Sequence, residues 1–219
     1  MYNEVNTSSG NYYVEPKKDS PTVTLANKAG KTVYNIIQAI LGIAILGVVL
    51  YLFVFPANIV QGRSMEPNFC NQDVYFTYKL NNYFSNQPYQ YGDVVAFRKT
   101  EGTNLIKRII GLPGDEISII NGKVYRNGVV LDEIYLPKGR YTETFLGGFL
   151  SEGQIVTVPN GKYFVLGDNR PASSDSRDFG LIDLNANAIN GNVVLVVWPP
   201  ERMRAFDKNQ VYPENECHK

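Results

Sequence analysis

The strongest constraint in this sequence is a gap in its charge. No charged residue lies between Lys31 and Arg63, and inside that gap Tyr34–Val54 reads YNIIQAILGIAILGVVLYLFV. As a helix rising ~1.5 Å per residue, the run spans roughly 30 Å, the thickness of a bilayer hydrocarbon core. Its apolar residues go all the way round, leaving no polar stripe at helical spacing. Tyr34, Tyr51 and Phe55 lie near its ends, where amphipathic rings prefer the interface, and Pro56 closes it. The run therefore reads as one transmembrane helix rather than a buried core helix. A cleaved signal peptide has a short basic start, a shorter apolar run and small residues at the cut. Here about thirty residues precede the run and FPANIVQG follows it, so an uncleaved anchor is the better reading.

Positive charge sets the orientation. Lys28 and Lys31 stand just before the helix, Lys17 and Lys18 further back, and only Arg63 closely follows it. The positive-inside rule puts the N-terminus in the cytoplasm and the rest outside. The expected organisation is a polar, mostly disordered cytoplasmic tail (1–32), the anchor (33–56), one extracytoplasmic β domain (57–204) and a loose C-terminal tail (205–219).

After Ser64 the texture is β. Strand-like runs are Asp73–Tyr78, Asp93–Arg98, Asn104–Ile110, Glu116–Ile120, Lys123–Arg126, Val129–Leu131, Ile155–Val158, Tyr163–Leu166 and Asn192–Trp198. The pairs Asn121-Gly122, Asn127-Gly128 and Asn160-Gly161 suit two-residue hairpin turns, in which both positions need positive φ. Many short strands with such turns predict a mainly β fold, an antiparallel sheet or barrel-like domain. Tyr83–Gln90 and Gly139–Gly153 read as irregular loops; Phe145, Leu146, Phe149 and Leu150 in the second would either lie near the membrane or cover the core. Asp183–Ile189 carries a weak helical signal. Trp198 fits a strand end, packed or facing the membrane.

Composition narrows the chemistry. The formal net charge is +0, so binding driven by phosphate neutralisation, and with it a nucleic-acid partner, is not expected. The single histidine, His218, is next to the C-terminus, which leaves no material for a Ser-His-Asp triad or a histidine metal site. No metal or other cofactor is expected. Cys70 and Cys217 cannot make a disulfide scaffold, and Cys70 is expected as a free thiol. Asp168, Asp175 and Asp178 cluster, but acids in such a loop usually cap turns and pair arginines.

Serine with lysine remains. Gln61-Gly62-Arg63-Ser64-Met65-Glu66-Pro67 follows the anchor directly, and Leu105–Ile110 places Lys107 and Arg108 side by side in an apolar strand. Neighbours on a strand face opposite sides. If Arg108 faces water, Lys107 faces the core, where burial favours its neutral, basic form. Lowering a lysine from ~10.4 to near neutrality takes roughly 4 kcal/mol at ~1.36 per unit. The alternative is a lysine whose stem is buried and whose head snorkels to water.

At these residues the chain resembles the bacterial type I signal peptidases. Ser64-Met65-Glu66-Pro67 resembles the family's nucleophile segment, and Tyr91–Phe97 (YGDVVAF) the strand segment after it. Lys107-Arg108 through Gly111-Leu112-Pro113-Gly114-Asp115 resembles the general-base segment, and Gly167-Asp168-Asn169-Arg170 with Ser173–Arg177 the last signature. The resemblance covers the anchor and nearly all of 57–200, in the family's order. It implies a serine endopeptidase of the bacterial plasma membrane that removes signal peptides from secretory preproteins after small-x-small motifs. It implies Ser64 as nucleophile, Lys107 as general base and Ser173 as the serine that hydrogen-bonds the lysine. Gly167, Asp168 and Asn169 would hold the site's turn, and Asp175 and Arg177 its supporting ion pair. Val60, Gln61, Gly62, Met65, Phe69, Leu105 and Ile106 would line the substrate pockets; Gly62 stands where some members carry a second oxyanion donor. The chain departs from the family in having Asn68 and Phe69 for the usual threonine and leucine, followed by Cys70. Open beside this reading are a Ser-Lys peptidase with another dedicated substrate and a catalytically silent, membrane-anchored peptide-binding β module.

Overall fold

The computed structural model describes residues 2–6, 12–16, 21–79, 89–99, 102–183, 189–210, 212–213 and 217. The chain divides into two units, 1–49 and 50–219. In the first, β1 (Tyr2–Asn6) pairs antiparallel with β2 (Tyr12–Pro16), and α1 runs Pro21–Val49. Proline suits the first turn of a helix, where its missing N–H has no acceptor to satisfy. The helix thus starts before residue 33, and part of the stretch expected to lack structure is ordered as strands and helix. From Lys28 to Val49 it is long and apolar enough to cross a membrane, with Ile36, Ile43 and Leu46 all exposed.

The second unit opens with a π-helical turn, Leu50–Val54, and Pro56 ends it. Its strands are β3 (Ala57–Ile59), β4 (Val74–Tyr78), β5 (Val94–Arg98), β6 (Asn104–Gly111), β7 (Glu116–Ile120), β8 (Lys123–Arg126), β9 (Val129–Val130), β10 (Val156–Thr157), β11 (Lys162–Leu166), β12 (Ile182–Asp183), β13 (Ile189–Trp198) and β14 (Arg204–Ala205). All pair antiparallel. One sheet has the order β12-β11-β6-β5-β13-β4-β3, with β14 on β13; a smaller one has β10-β7-β8-β9. The mainly β, antiparallel reading holds, and all nine strand-like runs are strands.

The hairpin turns follow their chemistry with one exception. Asn121, Gly122, Asn127 and Gly128 all have positive φ, as a type I′ turn requires. At Asn160-Gly161 only the glycine does, and the turn closes through Lys162 N–H donating to Pro159 O at 3.1 Å. Asp183 and Ile189 are strand residues rather than helical, and 184–188 lie outside the described residues. Of the first expected loop, 83–88 lie outside them too. Residues 139–153 contain no strand; Leu150 is in the core and Leu146 is exposed. Trp198 is exposed at the end of β13.

Three apolar clusters form the core, and β6 contributes to all of them. Ile109 joins Val95, Phe97, Tyr163, Val165 and Ile182 on one face. On the other, Ile106 joins Val60, Met65, Phe69 and Tyr75, and Ile110 joins Ile117, Ile119, Phe164 and Leu166. A strand covered on both faces reads as a continuous apolar run, which is why Leu105–Ile110 lacks polar alternation.

Two expectations about the cysteines and the C-terminus fail together. Cys70 is bonded to Cys217 across a sequence separation of 147, with Cα atoms 5.1 Å apart. The segment after Arg204 is docked: Phe206 N–H donates to Val194 O at 3.0 Å, the Phe206 and Phe69 rings lie 5.1 Å apart, and Tyr212 is buried. These contacts carry Cys217 back to Cys70, a proximity no local sequence signal encodes.

Candidate active site

Lys107 is the centre of the site. Its alternation partners on β6 are Leu105 and Ile109, and Val95 of β5 stands opposite it in register. This apolar face leaves the lysine 2% exposed. Its Nζ donates to Ser64 Oγ at 2.7 Å and to Ile106 O at 3.0 Å. Burial pushes the ammonium down to about 8, although the Asp175 and Asp168 carboxylates act to hold it up.

Ser64 lies in a turn, 62–69, that leaves β3 and Val60 and returns toward β4. Gly62 starts the turn at φ +89, a conformation that L side chains rarely adopt, and its N–H donates to Asn71 Oδ1 at 2.9 Å. Asn169 holds the turn from outside. Its N–H donates to Ser64 O at 3.0 Å and its Nδ2 to Arg63 O at 3.0 Å. Gly167 is packed so closely that a Cβ there would stand 2.5 Å from Ser64 O and 2.5 Å from Ser173 Cβ. Only a glycine lets these three segments converge.

Two buried ion pairs flank that convergence. Asp168 accepts from Arg108 Nε at 2.8 Å and Nη2 at 2.7 Å, with both side chains fully buried. Arg108 therefore does not face water. It lies on the far side of β6 from Lys107, its guanidinium 4.0 Å over the Tyr135 ring, and Nη1 donates to Gly92 O at 2.8 Å. Asp175 accepts Gly167 N–H at 3.0 Å and pairs with Arg177, Nε–Oδ1 2.8 Å and Nη2–Oδ2 2.8 Å. Arg177 also donates to Glu143 O and Arg170 O, both at 2.7 Å. Arg170, buried as well, pairs with Glu133 and donates to Thr142. Glu133 had no sequence signal; it is 37 positions from its partner.

Other expected residues fall differently. Ser173 is buried beside Gly167, but its Oγ has no hydrogen-bond partner, so the expected bond to Lys107 is not made. Met65 and Phe69 are wholly buried and offer no surface to a substrate. Phe69 fills a core cluster against Tyr75 and Phe206 instead of narrowing a pocket. Val60 and Ile106 belong to the same cluster, whereas Gln61 and Gly62 are exposed and Leu105 is half-buried. The described residues contain no cluster of three or more His, Cys, Asp and Glu able to hold a metal.

Comparison with known proteins identifies the family. The sequence profile of the family described as "Signal peptidase, peptidase S26" matches residues 33–198. "Signal peptidase I" of Bacillus licheniformis is 34% identical over 179 residues, covering 80% of this chain and 94% of that protein. "Signal peptidase IB" of Staphylococcus aureus (strain COL) is 33% identical over 193 residues, covering 83% and 97%. A crystal structure of a signal peptidase I from Enterococcus faecalis V583 is 34% identical and covers 48% of this chain and 95% of that one, with a TM-score of 0.38. With most of its length matched, and with a serine and a desolvated lysine in hydrogen-bond contact, the chain belongs to the signal peptidase family, peptidase S26.

Proposed function

We propose that this chain is a membrane-anchored Ser-Lys endopeptidase that cuts signal peptides from secretory preproteins after a small-x-small motif. One observation carries the reading: the 2.7 Å contact between Ser64 Oγ and a buried Lys107 Nζ whose pKa is lowered to about 8. Lys107 in its neutral form takes the Ser64 proton as the hydroxyl attacks the scissile carbonyl. Backbone donors at the nucleophile, with the Ser64 N–H among them, stabilise the oxyanion. The protonated lysine then gives its proton to the leaving amine, and water releases the acylated Ser64. The extended substrate is read along its main chain in the manner of an added strand. Each step uses side chains already in place, without a metal or cofactor.

The helix Lys28–Val49 is read as the anchor, with the N-terminus cytoplasmic from Lys28 and Lys31 and the β domain outside. The Cys70–Cys217 bond supports that placement, since disulfides persist in oxidising compartments and are rare in the cytosol. Confining enzyme and preprotein to one bilayer raises their effective concentration.

The test is cleavage of a signal-bearing preprotein by the full chain in detergent, with the cut identified by mass. Wild type should cut after a small-x-small motif; Ser64→Ala and Lys107→Ala should each abolish cutting while the β domain stays folded. Near-wild-type turnover by either variant refutes the dyad.

A further inference from the structure

The residue directly after the family-like proline, Pro67, has a position that its chemistry explains. Asn68 is fully buried on the turn that carries Ser64. Its Nδ2 donates to Asp168 Oδ2 at 2.7 Å and to Tyr135 O at 2.8 Å; its Oδ1 accepts the Tyr212 N–H at 3.1 Å. Its own carbonyl accepts Arg204 Nη2 at 2.6 Å, and the Arg204 guanidinium lies 3.9 Å over the Tyr212 ring. One side chain therefore joins the nucleophile turn, the carboxylate that holds Arg108, and the C-terminal segment.

The C-terminal segment touches both halves of the dyad's support. On the nucleophile turn it meets Asn68 through Arg204 and Tyr212, Phe69 through Phe206, and Cys70 through the disulfide. Next to the base, Lys208 O accepts Arg108 Nη1 at 3.2 Å, and the Arg108 guanidinium lies 5.6 Å over the Phe206 ring. A buried Asp73 adds to the grip, accepting the Cys70 N–H at 2.8 Å and pairing with Arg202.

We propose that Arg204, Phe206, Lys208 and Tyr212, with Cys217 bonded to Cys70, form a covalently locked strap that positions Ser64 against Lys107, with Asn68 as the positioning residue through which it acts. This rests on the Ser64–Lys107 reading above. Asn68 is wholly buried, so it and the strap act through the turn rather than on a substrate. They hold the turn against the strand, and a misplacement of ~1 Å at a reacting atom is enough to lower a rate by up to about 100-fold.

The experiment compares Cys217→Ser, Asn68→Ala and wild type treated with a dithiol, which reduces the disulfide to two thiols and is itself oxidised to a cyclic disulfide. All are assayed on a preprotein, well below their melting temperatures, with Ser64→Ala as control. The expected result is that kcat falls about tenfold in each case while KM stays within about twofold. Reoxidation restores wild type, and Cys217→Ser does not respond to the dithiol. A kcat within twofold of wild type in Cys217→Ser and in reduced wild type overturns the proposal, even if the melting temperature falls, because the strap is then only a tie for stability. Should Asn68→Ala fail to fold, those two arms decide alone. Cleavage by Ser64→Ala would instead overturn the dyad reading, so the two failures are distinct.

Discussion

Replacing Lys107 by methionine should make this protein more stable while ending its activity. The structure gives both the sign and the size. Lys107 is lowered by burial from 10.5 to about 8 in the folded chain. A basic group with a depressed folded pKa binds fewer protons folded than unfolded between those two values. The site is therefore destabilising in full below about pH 8, and the penalty fades as pH rises toward 10.5. Lowering the amine from 10.5 to about 8 costs the folded chain about 3 kcal/mol. Methionine keeps much of the stem volume and removes the amine, at the loss of two hydrogen bonds worth ~1 kcal/mol apiece. A net gain of about 1 kcal/mol at pH 7 is expected, a rise in Tm of about 2–4 °C for a chain of this size. The assay is thermal unfolding of full-length wild type and Lys107→Met in one detergent, from pH 7 to 10.5. The advantage of the variant should be widest at or below pH 8, vanish near about pH 9 and reverse toward pH 10.5, where only the lost hydrogen bonds remain. A variant less stable than wild type at pH 7, or a gap independent of pH, refutes the claim that the fold holds this amine at a cost.

The same pKa sets the pH–rate profile: kcat/KM should rise about tenfold from pH 7 to 9 and level off above, whereas an unshifted lysine would give about a hundredfold rise with no plateau. Gly167→Ala should lower kcat by at least about 100-fold, because the new Cβ would push Ser64 O and Ser173 apart; cleavage at a near-normal rate would show the convergence to be compliant. Arg108→Ala should cost about 3–5 kcal/mol in unfolding experiments by stranding the buried Asp168 carboxylate; a loss under about 1 kcal/mol would mean that Asp168 finds other donors.

Much of this molecule could be read from local signals. Alternation and Asn-Gly turns located the strands, because both depend on a few adjacent residues. The reading of Lys107 rested on a cation in an apolar run, and the same reasoning misplaced Arg108. It assumed that one of two neighbours must meet water, but β6 is covered on both faces and Arg108 finds Asp168, 60 positions away. The Cys70–Cys217 bond and the docking of Tyr212 on Asn68 fail to show for the same reason. They depend on where the chain ends up after β13, and nothing near either cysteine announces the other. Ser173 was placed near the site by resemblance, and it is there, but without the bond that placement implied.

The division of β6 into two working faces has a consequence for folding fidelity. Lys107 points to Ser64 and Arg108 to Asp168 because β6 pairs with β5 and β11 in one register. A slip of one residue would turn every side chain of the strand over. A slip in one direction would set Arg108 against Ser64, a guanidinium that stays charged at any accessible pH and cannot accept a proton, and Ile109 against Asp168; a slip in the other would set Ile106 against Ser64 and leave Asp168 a lysine too short of donors to replace the fork. Such a misfolded chain would keep its composition and much of its strand content yet be inert. Turnover per molecule is thus a sensitive gauge of correct strand pairing, finer than any spectrum that only counts β-structure.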